Sequence, residues 1–247
     1  MIADPTTLLV LAVLFLATLI RSAFGFGEAL VAVPLLALVM PVEVAAPVAA
    51  LVSVTVAAAV LAQDWSEVHA RSAGWLVLST LFGIPLGLLL LTRVPEPLVK
   101  ATLACVIVGF SIHSLVGRKR AALRDDRLAW VFGFCAGVLG GAYGMNGPPL
   151  VIYGVLRGWS PRYFRATLQG YFLPASALIL GGYGLTGLWT AQVNRYYLVS
   201  LPAVVVAIFA GRLINRRMHP DRFLTYVHLG LTAVGVLLLA QALKHRA

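Results

Sequence analysis

The chain has 247 residues, 60% of them hydrophobic and 11% charged, and its mean hydropathy is +0.92. This excludes a soluble globular domain of that size, because windows of about 18–20 nearly uncharged residues, enough to cross the hydrocarbon core, recur along the whole length. The net charge of +10 would suggest nucleic acid in a soluble protein; in a bilayer it reads as cytoplasmic loops rich in Lys and Arg, with no nucleic-acid partner.

At the start, Met1-Ile2-Ala3-Asp4-Pro5 has no Lys or Arg before the first apolar run, so a cleaved signal peptide is not expected. Apolar segments follow at roughly 6–20, 29–40, 44–62, 72–91, 97–116, 128–142, 148–157, 166–182, 196–211 and 223–243. Two pairs, 6–20 with 29–40 and 128–142 with 148–157, are short limbs around an interruption. The first interruption is Arg21-Ser22-Ala23-Phe24-Gly25-Phe26-Gly27-Glu28, and the second lies within Gly140-Gly141-Ala142-Tyr143-Gly144-Met145-Asn146-Gly147-Pro148-Pro149. Glycines lower helix propensity, paired prolines remove two backbone donors, and a helix is not expected to continue. Unpaired backbone in lipid costs several kcal/mol per group, so each interruption must line a cavity that is buried in protein or watery. The helix over 44–62 is crowded with alanines, which suits close packing, with lining of a path as the alternative.

The two interruptions resemble one another. Ala23-Phe24-Gly25 matches Ala142-Tyr143-Gly144 at an offset of 119, Trp65 matches Trp189 and Gly87 matches Gly211 at 124, and Pro95 matches Pro220 at 125. The chain therefore reads as a duplication. If each interrupted segment crosses once, the loop Lys and Arg divide evenly between the two sides. If each goes in and returns, one side takes Arg71, Arg118, Lys119, Arg120, Arg124, Arg127, Arg157, Arg162, Arg165, Arg212, Arg216, Arg217 and Arg222, and the other only Arg93, Lys100, Arg195, Lys244 and Arg246. Thirteen against five obeys the positive-inside rule, and the basic cluster also suits anionic lipid head groups. Each half then crosses an odd number of times, so the second is inverted and both termini are non-cytoplasmic. The expected fold is an all-α polytopic membrane protein of two inverted repeats, each a re-entrant broken-helix hairpin plus three transmembrane helices. It forms a single transmembrane domain over 1–247, with repeat 1 at about 1–117, a basic linker at 118–127 and repeat 2 at about 128–247.

Inverted repeats with discontinuous helices are a construction of secondary transporters, with substrate near the midplane where the breaks of the two halves meet. Helix N-termini attract anions, and Pro148 stands at a suitable first-turn position. At these residues the chain resembles the TauE/SafE family of membrane transporters (sulfite exporter, 4-toluene sulfonate uptake). The first half carries Gly25-Phe26-Gly27-Glu28-Ala29-Leu30-Val31-Ala32-Val33-Pro34-Leu35-Leu36, and the second Gly137-Val138-Leu139-Gly140-Gly141-Ala142-Tyr143-Gly144-Met145-Asn146-Gly147-Pro148-Pro149-Leu150. The family's commoner triple glycine is replaced here by Gly25-x-Gly27-Glu28 and Asn146-Gly147-Pro148. The resemblance implies transport of sulfur-containing or carboxylated anions such as sulfite, sulfoacetate, taurine-derived compounds and sulfonates.

Arg21 is the one Lys or Arg that the hairpin topology removes from a loop, and a charge at such depth faces a cavity or a partner. It can hold a sulfonate or carboxylate with two parallel hydrogen bonds, or pair with Glu28. Glu28 is the candidate for coupling to protons, or a static partner of Arg21. Tyr143, Asn146 and Gln169 offer uncharged hydrogen bonds, and Phe24, Gly25, Gly27, Gly144, Gly147 and Pro148 complete the substrate-binding tips. His69, His113, His219, His228 and His245 show no metal spacing, and Cys105 and Cys135 sit in apolar segments, so neither a metal nor a disulfide is expected. No cofactor is implied. The functional expectation is a multi-pass inner-membrane secondary transporter for a small anion, with protons as the candidate coupling ion. An enzyme would need a nucleophile, base or metal constellation, and the sequence has none. The alternatives are a non-transporting interaction or assembly protein, and an anion channel.

Overall fold

Gly25, Gly27 and Gly144 hold left-handed backbone, with φ of 87°, 99° and 66°. Side chains disfavour that conformation and helices end on it. In the computed structural model these glycines cut the chain at two places. The structure describes residues 4–64, 70–116, 128–159, 161–215, 232 and 236. Among them are nine helices: α1 (Pro5–Phe24), α2 (Glu28–Ala37), α3 (Val42–Asp64), α4 (Ala70–Arg93), α5 (Glu96–Val116), α6 (Ala129–Tyr143), α7 (Gly147–Leu156), α8 (Pro161–Leu185) and α9 (Ala191–Asn215). No strand occurs among the described residues. Stretches of α1, α3, α4 and α9 (Pro5–Ala23, Val42–Ala59, Ala73–Arg93 and Ala191–Ile214) are each long and apolar enough to cross a membrane. The all-helical, multi-pass expectation therefore holds. The expected linker 118–127 lies outside the described residues, as does segment 223–243 apart from Thr232 and Val236.

Both breaks are shorter than the sequence suggested. Helix α1 runs on through Arg21 to Phe24, because Arg21, Ser22, Ala23 and Phe24 are all compatible with a helix, and it closes where the Gly25 amide donates to the Arg21 carbonyl at 2.6 Å. At 20 residues it is also longer than the short limb expected for 6–20. Likewise α6 continues through Gly140 and Gly141 to Tyr143, and the Gly144 amide donates to the Gly140 carbonyl at 2.7 Å. The interruptions reduce to Gly25-Phe26-Gly27 and Gly144-Met145-Asn146. Gly140 and Gly141 are not helix breakers here; their missing side chains make room for neighbouring helices. A Cβ on Gly141 would stand 2.5 Å from the Ile84 carbonyl oxygen.

That contact belongs to a seam between α4 and α6. Gly83 and Gly87 on α4 meet Gly133, Gly137 and Gly141 on α6, and four-residue spacing keeps each set on one helix face. A Cβ on Gly83 would lie 2.2 Å from the Phe134 carbonyl oxygen, one on Gly87 2.2 Å from that of Val138, and one on Gly137 2.3 Å from that of Thr80. The Thr80 hydroxyl spans the seam to the Gly133 carbonyl at 2.9 Å. Helices α1 and α9 form a second close pair, where a Cβ on Gly211 would lie 2.7 Å from the Leu19 carbonyl oxygen. Between these pairs runs α3, whose Ala45, Ala46, Val48, Ala49, Val52 and Val56 are fully buried against α1, α2, α8 and α9. Its small residues thus serve packing, as the sequence reading favoured.

The seam predicts a split among glycine substitutions. Gly83→Ala and Gly87→Ala should each lower stability by about 1–3 kcal/mol through overpacking against backbone. Gly181→Ala on α8, where an added Cβ meets nothing within 4 Å, should raise it by about 0.5–1 kcal/mol. Thermal unfolding in detergent micelles distinguishes the two classes.

Candidate functional site

Arg21 lies in the last turn of α1 and Glu28 in the first turn of α2, so the three-residue break brings the two side chains together. A helix C-terminus favours a cation and an N-terminus an anion, and both charges sit at the end that suits them. Gly27, the N-cap of α2, offers no side-chain cap. Arg21 Nη1 donates to Glu28 Oε2 at 2.5 Å and to Ser53 Oγ of α3 at 2.6 Å. Ser53 Oγ in turn lies 3.3 Å from Ser176 Oγ of α8. The guanidinium rests on the Phe172 ring, 4.9 Å from its centroid, a cation–π contact that fixes its plane. Arg21 is 3% exposed and Glu28 2%.

One side of the guanidinium is spent in this way and the other is not. Arg21 Nε and Nη2, Glu28 Oε1 and the Asn146 side-chain nitrogen are buried without a hydrogen-bond partner among the described residues. Buried polar groups left unpaired cost about 1–3 kcal/mol each, and a protein rarely collects them without use. Nε and Nη2 are adjacent donors, the pair that grips a carboxylate or sulfonate with two parallel bonds. These groups line one cavity. Its polar wall is Arg21, Glu28, Ser53 and Asn146; its apolar wall is Phe26, Leu30, Met145 and Phe172; Gly27, Ala29, Gly147 and Pro148 complete it. Both breaks therefore face a shared space, reached also by α1, α3 and α8. Among the described residues no group of three or more His, Cys, Asp or Glu could hold a metal ion.

Of the residues singled out in the sequence, Arg21, Gly27, Glu28, Asn146, Gly147 and Pro148 line this cavity. Gly25 and Gly144 support it from behind. The Gly25 carbonyl accepts a hydrogen bond from Gln169 Nε2 at 2.8 Å, and a Cβ on Gly144 would lie 3.0 Å from the Ala46 carbonyl oxygen. Gln169 therefore pins the first break and does not line the cavity. Tyr143 is directed elsewhere: its hydroxyl bonds to Thr102 and donates to the Val99 carbonyl at 3.2 Å, tying α6 to α5. The side chain of Phe24 lies outside the described residues. Sequence reasoning missed Ser53, Phe172, Met145 and Phe26. Two signals were available for the first two. Ser53 and Ser176 differ by 123 residues, within the range of the repeat offsets, and Gln169, Phe172 and Ser176 share one helix face by their spacing.

A multi-pass helical protein whose two helix breaks enclose a buried, charged cavity is built as a membrane transporter. The family model described as "Sulfite exporter TauE/SafE" matches residues 10–238, and the chain belongs to that family. It is similar to a protein of Cupriavidus necator (strain H16) named "Probable sulfite/organosulfonate exporter TauE", with 26% identity over 207 residues that cover 81% of this chain and 78% of the relative. No solved structure matches it.

The ion pair makes an asymmetric prediction. Glu28→Ala strands a guanidinium that cannot give up its proton and should cost about 3–5 kcal/mol. Replacing both partners, as Arg21→Met with Glu28→Met, should recover most of that loss. Thermal unfolding of the single and double variants measures the difference, and a double variant no more stable than Glu28→Ala would overturn the prediction.

Proposed function

We propose that this protein is a secondary transporter that moves a small sulfur-containing or organic anion, such as sulfite, sulfoacetate or another sulfonate, across the inner membrane by alternating access. The observation that carries the proposal is the pair of unspent, buried donors on Arg21, in a cavity that the Asn146 amide also lines. A sulfonate has three acceptor oxygens, and these donors match them in kind. The apolar wall of Phe26, Leu30, Met145 and Phe172 suits an organic substituent. The name of the Cupriavidus necator relative, a probable sulfite/organosulfonate exporter, supports the same class. Arg21, Glu28 and Asn146 are all buried, as a site shut from both sides requires. Glu28, the carboxylate of the site, makes protons the candidate coupling ion.

The site lies between two inverted repeats that form a single transmembrane domain over 1–247, with repeat 1 at about 1–117, the linker at 118–127 and repeat 2 at about 128–247. Each half contributes a re-entrant hairpin and three spanning helices, so that α1, α2, α3 and α4 correspond to α6, α7, α8 and α9. Three contacts support this register. The close pairs α4–α6 and α1–α9 are each other's equivalents. Ser53 touches Ser176, its counterpart at an offset of 123, as residues on a two-fold axis do. Gly25 meets Gln169 while Gly144 meets Ala46, and Ala46 and Gln169 are also 123 apart. The thirteen-to-five charge division supports a topology with both termini on the non-cytoplasmic side.

Uptake of labelled sulfonate by proteoliposomes tests the site. Arg21→Ala removes two charge-assisted bonds and should reduce uptake at least about 100-fold, and Asn146→Ala should lower it in the same direction while folded protein persists in the membrane. Normal uptake by both variants would remove the site assignment. For topology, Arg120→Cys and Ser160→Cys should both react with an impermeant maleimide from the cytoplasmic side, whereas opposite sides would restore a chain of eight simple crossings.

A further inference from the structure

We infer that each monoanion is carried with one proton, held on Glu28, so that the empty and the loaded site are both electrically neutral. The inference rests on the transport reading and adds to it a stoichiometry and a charge balance.

In the empty site Arg21 and Glu28 cancel at 2.5 Å. Helices α1, α3, α5 and α7 pack on α2, and among their described side chains Arg21 of α1 is the charge within reach of Glu28. Helix α3 brings the neutral Ser53, its Glu43 being exposed at the far end; α5 carries Glu96 and Lys100, paired with each other at 3.1 Å; α7 has no ionisable side chain other than Tyr153. Across the cavity, Asn146 and Phe172 are uncharged. An anion seated on Nε and Nη2 would therefore give one guanidinium two negative partners and leave a net charge of −1 enclosed in protein at membrane depth. Such a charge is costly there, and Arg21 is the one cation among the described side chains that line the cavity.

A proton on Glu28 removes the imbalance, and the geometry has a place for it. Oε2 keeps its bond from Nη1, while Oε1 is buried and unpartnered. Forming an O–H bond at Oε1 neutralises the carboxylate and turns an idle acceptor into a donor. The proton enters from the compartment that supplies the anion and leaves with it, and no redox change is involved. Anion and proton thus favour each other's binding, and the coupling is reciprocal.

The full-length protein in proteoliposomes with a luminal pH dye tests this, with valinomycin and potassium setting the voltage. Methanesulfonate is the probe, because it stays ionised near neutral pH and any proton moved is the carrier's. Wild-type uptake should acidify the lumen by one proton per labelled anion, run faster from an acidic exterior, and proceed at the same rate with or without an inside-negative voltage. Glu28→Gln leaves Arg21 charged in the empty site, so net uptake should fall at least tenfold more than exchange of external for internal methanesulfonate. That variant should also gain more thermal stability from methanesulfonate than wild type does, a readout independent of flux. Wild-type uptake without acidification, or slowed by inside-negative voltage, overturns the coupling and leaves transport standing. Absence of uptake by the wild type overturns both.

Discussion

The ion pair of Arg21 and Glu28 is the constraint around which the rest is arranged. Two charges taken out of water recover their solvation only if the pairing is close and the remaining groups are satisfied, and a buried pair on that account adds little stability. Here the pairing is close, but Arg21 Nε and Nη2 and Glu28 Oε1 are left over. A chain selected for stability alone would do better with two apolar residues. The break between α1 and α2 makes the arrangement tolerable, since it sets the cation against a helix C-terminus and the anion at a helix N-terminus, with three residues between the two helix ends. An unbroken helix would place both charges in its interior, without the favourable ends.

Glycine does two different jobs in this molecule, and the distinction separates the parts that hold from the parts that bind. Gly25, Gly27 and Gly144 supply left-handed backbone at the breaks. Gly83, Gly87, Gly133, Gly137 and Gly141 are helical and let α4 and α6 approach until backbone meets backbone. In lipid there is no hydrophobic drive to bring helices together, so contact of this kind supplies the attraction. Hydroxyls reinforce it between layers, where Thr80 meets Tyr171 at 2.7 Å and Thr55 meets Tyr197 at 2.7 Å. The breaks, by contrast, are held by polar groups of other helices: Ser53 on Arg21, Gln169 on the Gly25 carbonyl, and the Ala46 backbone behind Gly144.

The same distinction explains what the sequence could and could not reveal. Hydropathy located the helices because a bilayer demands long apolar runs, and it located both interruptions because glycine and proline act locally. It extended those interruptions too far, since a glycine that turns the chain and a glycine that admits a neighbouring helix are the same letter. Arg21, Glu28 and Asn146 were legible as polar residues in apolar surroundings. Tyr143 was legible for that reason too, yet its hydroxyl serves α5, because side-chain direction depends on where α6 sits against its neighbours. Ser53 and Phe172 reach the cavity from α3 and α8, more than 25 residues from either break on α3's side and on a helix read as packing. Their place follows from tertiary contact, which only the repeat offset or the shared face of α8 hinted at.

The two breaks are not chemically equivalent, and the packing bears on why. In the register that matches Gly25 to Gly144, Arg21 corresponds to Gly140 and Glu28 to Gly147. A Cβ on Gly140 would lie 2.5 Å from Ile179 Cδ1, and the Gly140 carbonyl accepts the Tyr183 hydroxyl at 3.0 Å, so the position that corresponds to Arg21 is packed against α8. Two guanidiniums and two carboxylates in one cavity would each have to be desolvated and paired. The cavity therefore has one charged break, with Arg21 and Glu28, and one neutral break, with Asn146, and a single buried ion pair has to be satisfied there instead of two.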